Sequence, residues 1–106
     1  MGEALAMVVS TRTKPGQRDA VQQQFEADLG PRAMANDAQA VVVWSADDED
    51  PDVFHLFEIY RDRAAADEAA EAPWFWDYLA KVGPLLDGQP TMRRMTPRWT
   101  KGVDIL

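Results

Sequence analysis

The strands of this chain are apolar on both faces, and few small folds can satisfy that. Residues 4–13 alternate Leu5, Met7, Val9 and Thr11 against Ala4, Ala6, Val8 and Ser10, so neither side shows the polar alternation of a solvated sheet face. Within 38–46 the run Ala40-Val41-Val42-Val43-Trp44 is β-branched and again two-faced. Residues 53–60 set Phe54, Leu56, Glu58 and Tyr60 against His55, Phe57 and Ile59. A last strand over 90–97 alternates Met92, Arg94 and Thr96 with Thr91, Arg93 and Met95.

Helices fill the intervals. Lys14-Pro15-Gly16 turns the chain, with Pro15 suited to the first position of a helix whose stripe is Val21, Phe25 and Leu29. Gly30-Pro31 is expected to stop it, and a loop through Asn36-Asp37 follows. The run 47–52 is four aspartates, a glutamate and a proline, which makes it a hairpin turn. It lacks the glycine and alternating ligands of a calcium loop, so it reads as a solvated turn with no bound metal. Asp62 is placed to cap an alanine-rich helix over 61–71. Pro73 opens another, with Phe75, Leu79, Val82 and Leu86 on one face and Trp74, Tyr78 and Leu85 beside it. Gly83-Pro84 should distort its last turn.

The resulting order, β-α-β-β-α(α)-β, is the ferredoxin-like split βαβ arrangement over residues 1–97. It is an α+β fold, an antiparallel four-stranded sheet with helices on one face. Helices cover only one side, which leaves Val8, Val41, Val43, Phe57 and Ile59 unexplained. A second copy packed sheet to sheet resolves this as a homodimer, a dimeric α/β barrel. The tail 98–106 has too little pattern to stand alone and could reach the partner chain.

Composition removes several function classes. A net charge of −7 with dispersed basic residues argues against nucleic acid. No cysteine is present, so disulfides, thiolate nucleophiles and cysteine-bound metals are excluded. No apolar run approaches the roughly 20 residues of a membrane span, and no signal pattern opens the chain, so a cytoplasmic protein is expected. Four tryptophans in 106 residues suit either a small core or a pocket for a flat ligand.

Several short motifs resemble the antibiotic biosynthesis monooxygenase family of dimeric α+β barrels, and among them the members labelled quinol monooxygenases. They are Thr13-Lys14-Pro15-Gly16, Phe54-x-Leu56-x-Glu58-x-Tyr60, Asp62-x-x-Ala65, Ala72-Pro73-Trp74-Phe75, Pro84-Leu85-Leu86 and Trp99-Thr100-Lys101-Gly102-Val103. The resemblance implies a monooxygenase that needs no metal, flavin or other cofactor, acting with molecular oxygen on a small aromatic quinol or anthrone. Departures oppose it. Ala69 stands where many relatives carry histidine, and Asn36-Asp37-Ala38 replaces a Pro-Gly pair. The Asn, Trp and His of heme-degrading relatives would fall near Val9, Ala69 and Leu79, which disfavours heme binding and degradation. A non-catalytic small-molecule-binding barrel is therefore the second reading.

For the chemistry, an ionisable group in an apolar pocket is required. The catalytic candidates are Glu58, Tyr60 and His55; Leu56, Trp74, Phe75, Trp76 and Tyr78 would bind the substrate. Parity sends His55 to the face opposite Glu58, and the resemblance places the ligand cleft on the Leu56-Glu58-Tyr60 side. For Glu58 the competing reading is a buried ion pair with Arg93, Arg94 or an arginine of a second copy. Trp44 is assigned to the core.

Overall fold

The β1 strand (Leu5–Arg12) runs antiparallel between β3 (Val53–Tyr60) and β4 (Thr91–Met95), and β2 (Gln39–Ala46) pairs the far side of β3. This sheet order, β2-β3-β1-β4, is the ferredoxin-like one, in a computed structural model that describes residues 3–106. The sheet stays open, with β2 and β4 as its edges. Helices α1 (Arg18–Asp28), α2 (Gly30–Ala35), α3 (Arg63–Glu71) and α4 (Pro73–Val82) complete the elements, with a 3₁₀ turn at Gly83–Leu85. Among the described residues no helix is long and apolar enough to cross a membrane.

The helices pack against the face that carries Leu5, Met7, Phe54, Leu56 and Tyr60, in two clusters. Val21, Phe54, Tyr78 and Val82 form one, backed by Phe25, Leu29, Trp44, Leu79, Leu85 and Leu86. Leu5, Tyr60 and Ala66 form the other, backed by Met7, Ala65 and Ala69. Trp44 joins the first cluster as expected, stacked on Phe54 with ring centroids 4.5 Å apart.

Two local expectations change. Pro15 does not open α1: Gly16 follows it with φ +78°, a left-handed turn that glycine adopts without strain, and its N–H donates to Asp52 Oδ1 at 3.0 Å. The helix then starts at Arg18, whose guanidinium donates to the carbonyls of Asp47, Asp50 and Val53 and so ties α1 to the β2–β3 turn. α1 ends at Asp28, just before Gly30-Pro31 as expected, but the pair then opens α2 where a loop was expected, because proline needs no amide partner in a first turn. The expected Asp62 cap is present, its side chain accepting from Ala64 N at 2.7 Å.

The acidic run is a self-bonded turn. Asp47 Oδ1 accepts from the amides of Glu49 and Asp50, and Arg12 pairs with Asp50 at 2.7 Å. No cluster of three metal-ligating side chains occurs among the described residues. The tail folds against its own chain, Arg61 donating to Asp104 O at 2.9 Å, while Trp99 remains 80% exposed.

Candidate functional site

A cavity of about 560 Å³ separates the sheet from the helices, and the two apolar clusters form parts of its wall. β3 sends Leu56, Glu58 and Tyr60 into it, because alternate residues of a strand share a face. β1 adds Met7, Val9 and Thr11, and β2 adds Val42 and Trp44. From α4 come Trp74, Phe75, Trp76, Tyr78 and Leu79; Ala66, Ala69 and Ala70 supply the low wall of α3. Small alanines there leave the room that larger side chains would fill.

Glu58 is the chemical centre of this space. Its Oε1 accepts from Gln39 Nε2 at 2.7 Å, and the same amide reaches Tyr60 Oη at 3.2 Å. No cation pairs with it among the described residues. Burial raises its pKa from 4.5 to about 7, the Gln39 hydrogen bond opposing only part of that rise. The expected pair with Arg93 or Arg94 of the same chain is thus overturned. Arg93 lies on the other face, opposite Val8. Arg94 shares the Glu58 row (Arg94, Met7, Glu58) but stands two strands away, about 10 Å at ordinary strand spacing. Asp67 of α3 takes Arg94 instead, at 3.1 Å.

Tyr60 is buried, and desolvation together with the neighbouring Glu58 drives its ionisation well above the ordinary phenol value. Its oxygen accepts from Gln39, and no protein acceptor takes its hydrogen among the described residues. Burial likewise pushes the Tyr78 phenol up to about 12. The Trp44 Nε1–H is buried without an acceptor among the described residues.

His55 lies on the opposite face. Its Nδ1 meets Ser10 Oγ at 2.8 Å, and its Nε2 meets Asp47 Oδ2 at 2.8 Å. Those contacts tie β1, β3 and the acidic turn together, and no ring nitrogen of the single histidine borders the cavity. His55 therefore faces away from the cavity that Glu58 and Tyr60 share.

Sequence reasoning missed Gln39. Simple alternation from Val42 and Trp44 would turn residue 39 away from the cavity. A bulge intervenes: Gln39 pairs with Tyr60 and Val41 with Ile59, so Ala40 is the extra residue and Gln39 swings to the cavity side. The polarity of Gln39 at the head of an otherwise apolar strand was the available signal. Arg32 and Asn36 also border the cavity and were missed, because the segment that holds them looked like a loop.

Solved structures with the same fold are numerous. A protein from Mycobacterium tuberculosis named Rv0793 is 26% identical, with a TM-score of 0.79 over 92% of this chain and 98% of its own. A Chloroflexus aurantiacus protein, provisionally named an antibiotic biosynthesis monooxygenase, is 22% identical, with a TM-score of 0.78 over 96% of this chain and all of its own. A Nitrosomonas europaea protein with the same provisional name reaches 0.84 at 15% identity, over 96% and 97%. No protein-family model and no curated protein matches the chain. The likenesses show the fold, and it is the one that the sequence motifs had implied.

Proposed function

We propose that this chain, which has the fold of the antibiotic biosynthesis monooxygenases, is a cofactor-independent oxygenase of small aromatic quinol- or anthrone-like substrates. The observation that carries the reading is Glu58: a carboxyl without a cation partner among the described residues, in an apolar cavity, with its pKa raised to about 7. Such a group can accept a proton at neutral pH, where an exposed glutamate is too weak a base.

The reaction follows from that proton transfer. Glu58 removes a proton from the acidic CH₂ or its enol, and the Tyr60 hydroxyl donates to the oxyanion that develops. The electron-rich anion passes one electron to molecular oxygen, and the resulting radical pair forms a C–O bond. Protonation gives a hydroperoxide. Loss of the remaining C–H proton expels water and leaves a ketone, so one oxygen atom enters the product and the other becomes water. The substrate itself supplies the electrons. The aromatic wall of Trp44, Trp74 and Phe75 suits a flat ring and keeps water from the intermediates, while Trp76, also bordering the cavity, is 60% exposed. The unpaired Trp44 N–H further supports a ligand that bears oxygen.

Metal-free protein mixed with a panel of anthrones and quinols should consume oxygen in equal molar amounts with ketone formed. Binding without oxygen uptake would favour the non-catalytic binding protein instead. Heme has less support, since Val9, Ala69 and Leu79 bring only apolar side chains to the cavity wall.

Two copies joined by the open sheet face complete the proposal. Val43, Phe57 and Met95 are 47%, 36% and 40% exposed there, a surface that a second sheet would cover. Light scattering should give twice the 11.9 kDa chain mass, with Phe57→Asp shifting the protein to monomer. A wild-type mass of one chain at every concentration would refute the dimer. The tail, whose Trp99 is 80% exposed, would extend that contact.

A further inference from the structure

Arg32 borders the cavity and is held by an aromatic face, not by a carboxylate. Its guanidinium carbon lies 4.8 Å from the centroid of the Trp74 ring. No Asp or Glu pairs with it among the described residues. Asp28 is near enough to feel its charge, but Gln24 at 2.6 Å and Lys81 at 3.2 Å already engage that carboxylate. A guanidinium stacked on an indole keeps its edge N–H groups free and oriented. Arg94, the other cation of the cavity wall, is neutralised by Asp67.

Asn36 lies four residues further on. Its Oδ1 accepts from Ala38 N at 3.0 Å, which fixes the amide orientation and leaves the Nδ2 hydrogens without a protein acceptor among the described residues. Both side chains line the cavity, and the same segment leads into β2 at Gln39, which holds Glu58. Unclaimed donors at Arg32 and Asn36 thus border the same cavity as the Gln39–Glu58–Tyr60 cluster.

We propose that the substrate is an aromatic acid, whose carboxylate is received by Arg32 and Asn36 while its reacting hydroxyl or enol faces Glu58. The inference rests on reading the cavity as the substrate site and goes further by naming the charge of the ligand. A protein of net charge −7 repels anions, so an anionic ligand needs a local cation that is not already neutralised. Arg32 meets that condition, and charge-assisted donors favour a carboxylate over any neutral substituent.

Calorimetric titration with 1-hydroxy-2-naphthoate and with 1-naphthol, at low salt, tests this without turnover. The acid should bind about tenfold more tightly than the naphthol. Arg32→Gln should shrink that preference to less than about threefold, and Arg32→Lys should retain part of it. Equal affinities, a preference undiminished in Arg32→Gln, or failure of both probes to bind would overturn the proposal. The oxygenase reading fails separately: an Arg32-dependent preference without oxygen uptake from any quinol sinks that reading alone. Oxidation of neutral quinols without a preference for acids sinks only the aromatic-acid proposal.

Discussion

Glu58→Gln should lower turnover of an anthrone or quinol by about 10²- to 10⁴-fold and leave the fold intact, since that is the usual worth of a positioned general base. Glutamine matches glutamate in shape and can still meet the Gln39 amide through its own carbonyl oxygen. What it cannot do is accept a proton. Tyr60→Phe should cost less, because it removes a donor to the oxyanion and leaves the base in place. The pH profile separates loss of the base from a general disturbance. With a carboxyl of pKa about 7, the wild-type rate should rise about tenfold per pH unit below neutrality and level off above it. Equal turnover by wild type and both variants would remove these residues from the chemistry.

Stability should move the opposite way with pH, by about 3 kcal/mol. Below pH 4.5 Glu58 is protonated in both folded and unfolded chains and contributes no difference. Between 4.5 and about 7 the unfolded chain releases its proton while the folded chain keeps it. The unfolded state therefore gains, stability falls through that window, and the loss is complete above about 7. Asp28, Asp47 and Asp50 act in the other sense. Their carboxyls are held below the usual range, Asp28 by Gln24, Asp47 by His55 and Asp50 by Arg12, so what they contribute is lost as pH falls. Subtracting Glu58→Gln from wild type isolates the buried carboxyl. Urea unfolding at fixed protomer concentration should show the variant gaining on wild type by about 3 kcal/mol between pH 4.5 and 8. A constant difference between the two proteins would mean that Glu58 is solvated or paired after all.

Alternation revealed much of this architecture before any coordinates. Period-two patterns placed the four strands, and parity alone sent Leu56, Glu58 and Tyr60 one way and His55 the other. The Asp62 cap and the Pro73 helix start were equally legible, because each depends on neighbours within one helical turn. The surroundings of Glu58 were not legible in the same way. Arg94 sits in its row, yet the intervening β1 strand and the competing Asp67 decide that the two do not meet. Gln39 reaches Glu58 only because one extra residue, Ala40, reverses the parity of β2 at its start. Such a bulge leaves no mark in an apolar run beyond the polarity of Gln39 itself. Likewise Gly30-Pro31 carries both a stop and a start signal, and only packing against α1 shows that a second helix brings Arg32 and Asn36 to the cavity.

The protonation state of Glu58 is the hinge of the account, and it can be observed directly. Protein labelled with ¹³C at the glutamate side-chain carboxyl carbons gives six resonances, one for each glutamate, and each can be followed from pH 3 to 9 by NMR. One resonance should titrate near 7 and vanish in Glu58→Gln. Six carboxyls all titrating below pH 5 would contradict the account, because a carboxylate already ionised at that pH is too weak a base for the proposed proton transfer.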